Sequence, residues 1–162
     1  MDSSIIKELS LGNQVDAILR YGKDSFSMIE GAMIIASTLS EMILANEKII
    51  TAVREDEAAQ MCCPDIMCLD EDNEGYIFVF SAQERLEALP DELRNRASFA
   101  DVDIGRVISA LLVGSNDLRG IAINPFSNPE GIFVVDKQIA TAAIYMAGEK
   151  SRSDAANNGE QV

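Results

Sequence analysis

Between residues 15 and 43 the apolar positions repeat with a helical period. Val15, Ile18 and Leu19 share one face, and Met28, Ile29, Ala32, Ile35, Ala36, Leu39, Met42 and Ile43 then recur at i, i+3, i+4, i+7. Two helices are predicted, the second starting at Ser25 or Ser27, either of which can cap it. Met33 and Ile34 widen its apolar stripe, which fits burial on two sides or a surface awaiting a partner; core packing is the expectation.

The period then shortens. Ile49 to Val53, Ile66 to Leu69 and Tyr76 to Phe80 read as strands, with Asp70-Glu71-Asp72-Asn73-Glu74-Gly75 between the last two as a hairpin signal. Tyr76-Ile77-Phe78-Val79-Phe80 is apolar throughout, as suits a central strand covered on both faces. Ser81-Ala82-Gln83-Glu84 has the form of a capping box, so a helix is expected from Ala82, with Leu86 and Leu89 inward and Pro90 as its stop. A further helix opens with Asp101 and Asp103 at its positive end. It aligns Ile104, Val107, Ile108, Leu111 and Leu112, and closes at Gly114.

Leu118 to Asn124 reads as a strand broken by Pro125, and Gly131 to Val135 as its antiparallel neighbour across a proline-rich loop. Asp136 caps a last helix whose apolar side is Ile139, Ala140, Ala143, Ile144 and Ala147. Residues 150–162 turn polar and lose periodicity, and disorder is expected there. These elements predict an α+β fold, with a central mixed sheet of about five strands packed with helices. One domain is expected over residues 1–149, divided into a helical N-terminal extension (1–45) and a core (46–149).

Three blocks also carry a family likeness. Val79-Phe80-Ser81-Ala82-Gln83-Glu84-Arg85-Leu86, Leu118-Arg119-Gly120-Ile121-Ala122-Ile123-Asn124-Pro125 and Gly131-Ile132-Phe133-Val134-Val135 occur in that order. Together they resemble the N-terminal domain of the SseB family, the bacterial enhanced serine sensitivity proteins. That family shows a strand into a Phe-Thr-Ser-x-Glu-x-Leu turn, a strand ending Ile-Asn-Pro, and a Gly-led strand before a final helix. Here Phe80-Ser81-Ala82 stands where a Thr-Ser pair is common, and the N-terminal helices fall outside the likeness. The resemblance implies a fold more than a reaction.

Composition narrows the chemistry. Of 162 residues, 48% are apolar and 25% charged, the balance of a chain that folds around an ordinary core. Lys and Arg number 13 against 27 Asp and Glu, a formal charge of −14 that repels phosphate backbones and anionic headgroups. Neither nucleic acid nor membrane is an expected partner. The run Gly31 to Ala36 is far short of the ~20 apolar residues of a membrane span. The first residues lack a basic segment followed by an apolar one, so export is not expected. Cys62, Cys63 and Cys68 are odd in number and crowded, which fits reduced thiols in cytoplasm.

The chain has no histidine, which removes the commonest general base and the Ser/His and Cys/His nucleophile pairs. No Lys or Arg lies between Glu55 and Gln83 to favour a thiolate, and the cysteines are read as small buried hydrophobes. The acidic run Asp70 to Gly75 lacks the twelve-residue calcium-loop pattern, and Gly105, Gly114 and Gly120 form no phosphate loop. No catalytic residue, cofactor or metal is expected. The loop that could meet a partner is marked by Arg119, Asn124 and Pro125, because Asn both donates and accepts and Pro fixes the backbone. The resulting expectation is a noncatalytic protein-binding or regulatory module with a protein partner. The alternatives are an acidic immunity or antitoxin-like protein and an accessory factor in sulfur or amino-acid metabolism.

Overall fold

A computed structural model describes residues 3–25, 28–56, 61–68, 74–115 and 117–159. In chain order the elements are α1 (Ser3–Ile6), α2 (Leu11–Ser25), α3 (Met28–Leu44), β1 (Lys48–Asp56), β2 (Met61–Pro64), β3 (Met67–Cys68) and β4 (Gly75–Phe80). They continue with α4 (Gln83–Glu87), α5 (Asp91–Arg96), β5 (Ser98–Asp103), α6 (Ile104–Val113), β6 (Leu118–Ile123), β7 (Phe133–Val135) and α7 (Lys137–Gly159). The fold is α+β.

The strands form one mixed sheet in the order β2-β1-β4-β6-β7, with β5 on β1 and β3 on β4. Among the described residues only β4 and β6 run parallel, with Ile77 opposite Ile121 and Val79 opposite Ile123; the other pairings are antiparallel. β4 is central, and its alternation explains the unbroken apolar run. Ile77 and Val79 face a core shared with Leu39 of α3, Val107 and Leu111 of α6 and Ala143 of α7. Phe78 and Phe80 point the other way, towards Leu86 and Leu89. Phe80 also meets the edge of Phe99 at 5.8 Å.

The N-terminal region is helical, and it is part of this core. Val15, Ile35 and Leu39 are buried with the sheet residues, while Ile34 closes a smaller cluster with Ile6 and Ala17. The wide stripe of α3 therefore is buried on two sides at Ile34 and Ile35, but its first turns are not: Met28, Ile29 and Met33 are exposed. The Ser27 cap lies outside the described residues.

Other differences have physical reasons. Ser98 to Asp103 pairs residue by residue with Lys48 to Val53, so Asp101 belongs to a strand and only Asp103 stands at the start of α6. Half of its residues are polar, which hid a long-range pairing from local pattern reading. Asp136 caps as expected, its Oδ1 accepting from the Ile139 amide at 2.9 Å. Residues 150–159 continue α7 where disorder was expected, with Ser151 to Ala156 exposed; Arg152 ties back to Glu149 one turn earlier. Ile144 of the same helix is 41% exposed, outside the core face.

Candidate functional site

Because β4 and β6 are parallel, their carboxyl ends open on the same edge of the sheet, the edge where open α/β sheets gather their ligands. Ser81 follows β4 there, and Asn124 follows β6. The expected capping box does not form: α4 begins at Gln83, with Ala82 as its cap residue and no side-chain cap. Ser81 instead turns to Asn124. Its amide donates to Asn124 Oδ1 at 2.9 Å, and Asn124 Nδ2 donates to Ser81 Oγ at 2.9 Å. A planar amide offering one donor and one acceptor outcompetes the local loop back to Glu84.

Asn124 is 2% exposed and sits at φ 50°, in the left-handed region that Asn tolerates better than most residues. Its own amide extends the ladder to the Val79 carbonyl at 2.8 Å. Pro125 beside it is buried, and Phe126 follows at φ 69° with 40% of its surface exposed. Gly12 of α2 packs directly on this pair. A Cβ there would stand 3.2 Å from Asn124 Nδ2 and inside the contact radius of Ser81 Oγ, so only glycine fits.

A second set of polar groups stitches α2 to the same loop. The Arg85 guanidinium pairs with Asp16, both less than one-third exposed, and donates from Nη1 to Ser127 Oγ at 3.3 Å. Asn128 Nδ2 donates to the other Asp16 oxygen at 3.1 Å, while Asn128 Oδ1 accepts from the Glu130 amide at 2.8 Å. On one side of this bridge lies a cavity of about 740 Å³ bordered by Gly12, Asn13, Lys48, Ser81 and Arg85. On the other lies one of about 480 Å³ bordered by Asp16, Arg20, Tyr21, Asn128 and Glu130, where the Arg20 guanidinium sits 5.9 Å from the Tyr21 ring centre.

No known family, curated protein or solved structure matches the chain.

Of the three loop residues marked from the sequence, Asn124 and Pro125 belong to this site. Arg119 does not, because it lies near the amino end of β6, about 17 Å away along the strand at ~3.3 Å per residue. There it pairs with Glu74 at 3.0 Å in solvent. Asp16, Arg85, Ser127 and Asn128 were not singled out. Arg85 and the Asn/Ser-rich stretch after Pro125 lay within reach of motif reading, but Asp16 carries no local signal, since its partners are 69 and 112 residues away.

The cysteines also differ from expectation. Cys63 is only half-buried and Cys68 is exposed; the side chain of Cys62 and the loop residues Asp70 to Asn73 lie outside the described residues. Among the described residues no cluster of three acidic or sulfur ligands is poised for a metal, and no helix is long and apolar enough to cross a membrane.

Proposed function

We propose that the chain is a noncatalytic protein-binding or regulatory module of the SseB type, acting in the cytoplasm on a protein partner. The observation that carries this reading is the loop at the carboxyl end of β6. Its polar groups are engaged inward with Ser81, Arg85 and Asp16, while Phe126 is held outward in a backbone conformation costly for an aromatic residue. Strain of that kind persists where the surroundings over-determine it and commonly accompanies recognition. An exposed ring on a braced loop has the character of an interface anchor. Two of the three blocks that carry the family likeness supply the two halves of the Ser81–Asn124 pair, which also supports the reading. The charge of −14 turns the choice of partner away from nucleic acid and anionic membrane.

Copurification from native lysate tests it, with Phe126→Gly as the comparison. Glycine removes the ring and relieves the left-handed conformation, so that variant is expected to fold at least as stably as the parent. One stoichiometric protein recovered with the parent and lost with Phe126→Gly is the expected result. Recovery of the chain alone, or a partner that ignores the substitution, would overturn the reading.

A further inference from the structure

β5 is the last strand on its side of the sheet, pairing with β1 and, among the described residues, with no other strand. Its ladder shows which backbone groups that leaves. The Ile104 amide donates to the Glu47 carbonyl at 3.0 Å, one step beyond the pair Lys48 and Asp103. Bonded and non-bonded pairs alternate in an antiparallel ladder, so Val102 bonds to Ile49 and Ala100 to Thr51. The amides and carbonyls of Phe99 and Asp101 therefore turn away from β1. The far side of β1 keeps the same phase, since the Ala52 carbonyl, opposite Phe99, accepts from the Asp65 amide at 2.8 Å. Among the described residues no backbone group meets Phe99 or Asp101 on the outer side.

Such a row is a template for one more strand. The side chains say of which kind. Phe99, Asp101 and Asp103 share one face of β5. Phe99 is half-buried against Phe80 in the cluster that also holds Leu93. Asp103 lies opposite Lys48, whereas Asp101 lies opposite Ile50, is exposed and forms no ion pair with a described residue. A cation set beside Asp101 by an incoming strand would complete a cross-strand pair that β1 does not supply. A second copy of the chain is the poorer occupant, because both copies bring a charge of −14 to the contact.

We infer that β5 takes up an extended cationic segment of a partner protein as an added strand. The segment bonds to the backbone of Phe99 and Asp101, with an apolar side chain beside Phe99 and a lysine or arginine beside Asp101. β1 and β4 separate this side of the sheet from β6, and the inference does not rest on the Phe126 loop.

The peptide acetyl-Thr-Lys-Thr-Ile-Thr-Lys-Thr-amide, titrated into the ¹⁵N-labelled full chain, tests it. As a strand it presents lysine, isoleucine and lysine on one face whichever way it runs. Saturable binding is expected, with hydrogen exchange slowed most at the Phe99 and Asp101 amides. Asp101→Asn should weaken binding about threefold, the size of one exposed charge pair. Asp101→Pro should weaken it at least about tenfold, since it also removes an outward amide, and proline is tolerated at such a position. An analogue with glutamate for both lysines that bound as tightly would overturn the inference. So would Phe99 and Asp101 amides that exchange as fast in the saturated complex as in the free chain, unchanged binding by Asp101→Pro, or no saturable shift at millimolar peptide. Self-association of the free chain that protected the same two amides would give this side of the sheet to a second copy and overturn the inference as well.

Discussion

At the carboxyl end of β6, Asn124 is buried and uses both halves of its amide on Ser81, whereas near the amino end Arg119 stands in solvent against Glu74. Both are polar residues bonded to a distant segment, and both were visible in the sequence as candidates for interaction. The difference lies in what replaces the bond once it is broken. Water can take over from Glu74 at once, but it cannot reach the Asn124 side chain without opening the junction of β4, β6 and α2. Burial, and not the kind of residue, decides which end organises the molecule.

Removing Asn124 should therefore have the largest effect. Asn124→Ala loses both bonds, leaves the part-buried Ser81 amide without its partner and puts alanine in the left-handed region that asparagine tolerates better, a cost of about 3 kcal/mol. A urea midpoint that drops with unchanged slope would display this as lost stability. A midpoint within error of the parent would show that the junction contributes nothing and would erase the contrast between the two ends.

Gly12→Ala attacks the same junction from the side of α2. The new methyl group collides with Ser81 Oγ, with an expected loss of about 2 kcal/mol. In a Ser81→Gly background most of that loss should vanish, since alanine is otherwise preferred to glycine in a helix by about 0.5–1 kcal/mol. A penalty equal in both backgrounds would mean that the contact with Ser81 is not its cause. The Arg85–Asp16 pair is intermediate between the two ends, being partly sheltered and sharing Ser127 and Asn128. A double-mutant cycle with Arg85→Met and Asp16→Asn should give a coupling of about 1 kcal/mol that weakens with salt.

How much of this was legible depended on how far apart the partners lie in sequence. β4, β6, β7 and α6 announce themselves through local periodicity, and the Asp136 cap reaches only three residues, so reading along the chain found them. β5 did not, because Ser98-Phe99-Ala100-Asp101-Val102-Asp103 becomes a strand by lying on β1, about fifty residues earlier and beyond the reach of any local rule. The capping box at Ser81 failed for the same reason: its local geometry was available, but an amide 43 residues away offered Ser81 two bonds at once. At the site, Asn124 and Pro125 were marked because Asn-Pro at a strand end is a local sign. Asp16 gains its role only when α2 packs against the loop.

The smallest effect should come from the other end of β6. Arg119 and Glu74 are 57% and 42% exposed, so each ion keeps much of its hydration, and their attraction is screened by salt and opposed by the entropy of two long side chains. A cycle of Arg119→Ala and Glu74→Ala should return a coupling below about 0.5 kcal/mol at physiological salt. The pair nevertheless links the start of β6 to the start of β4, whose parallel register shifts between Gly75 and Tyr76. If the ion pair fixed that irregular register, its coupling would reach the size found at Arg85–Asp16 and would persist in high salt. That outcome would make the two ends of the strand alike in kind. A small, salt-sensitive coupling would instead leave the parallel ladder and the Ser81–Asn124 clasp as what sets the register.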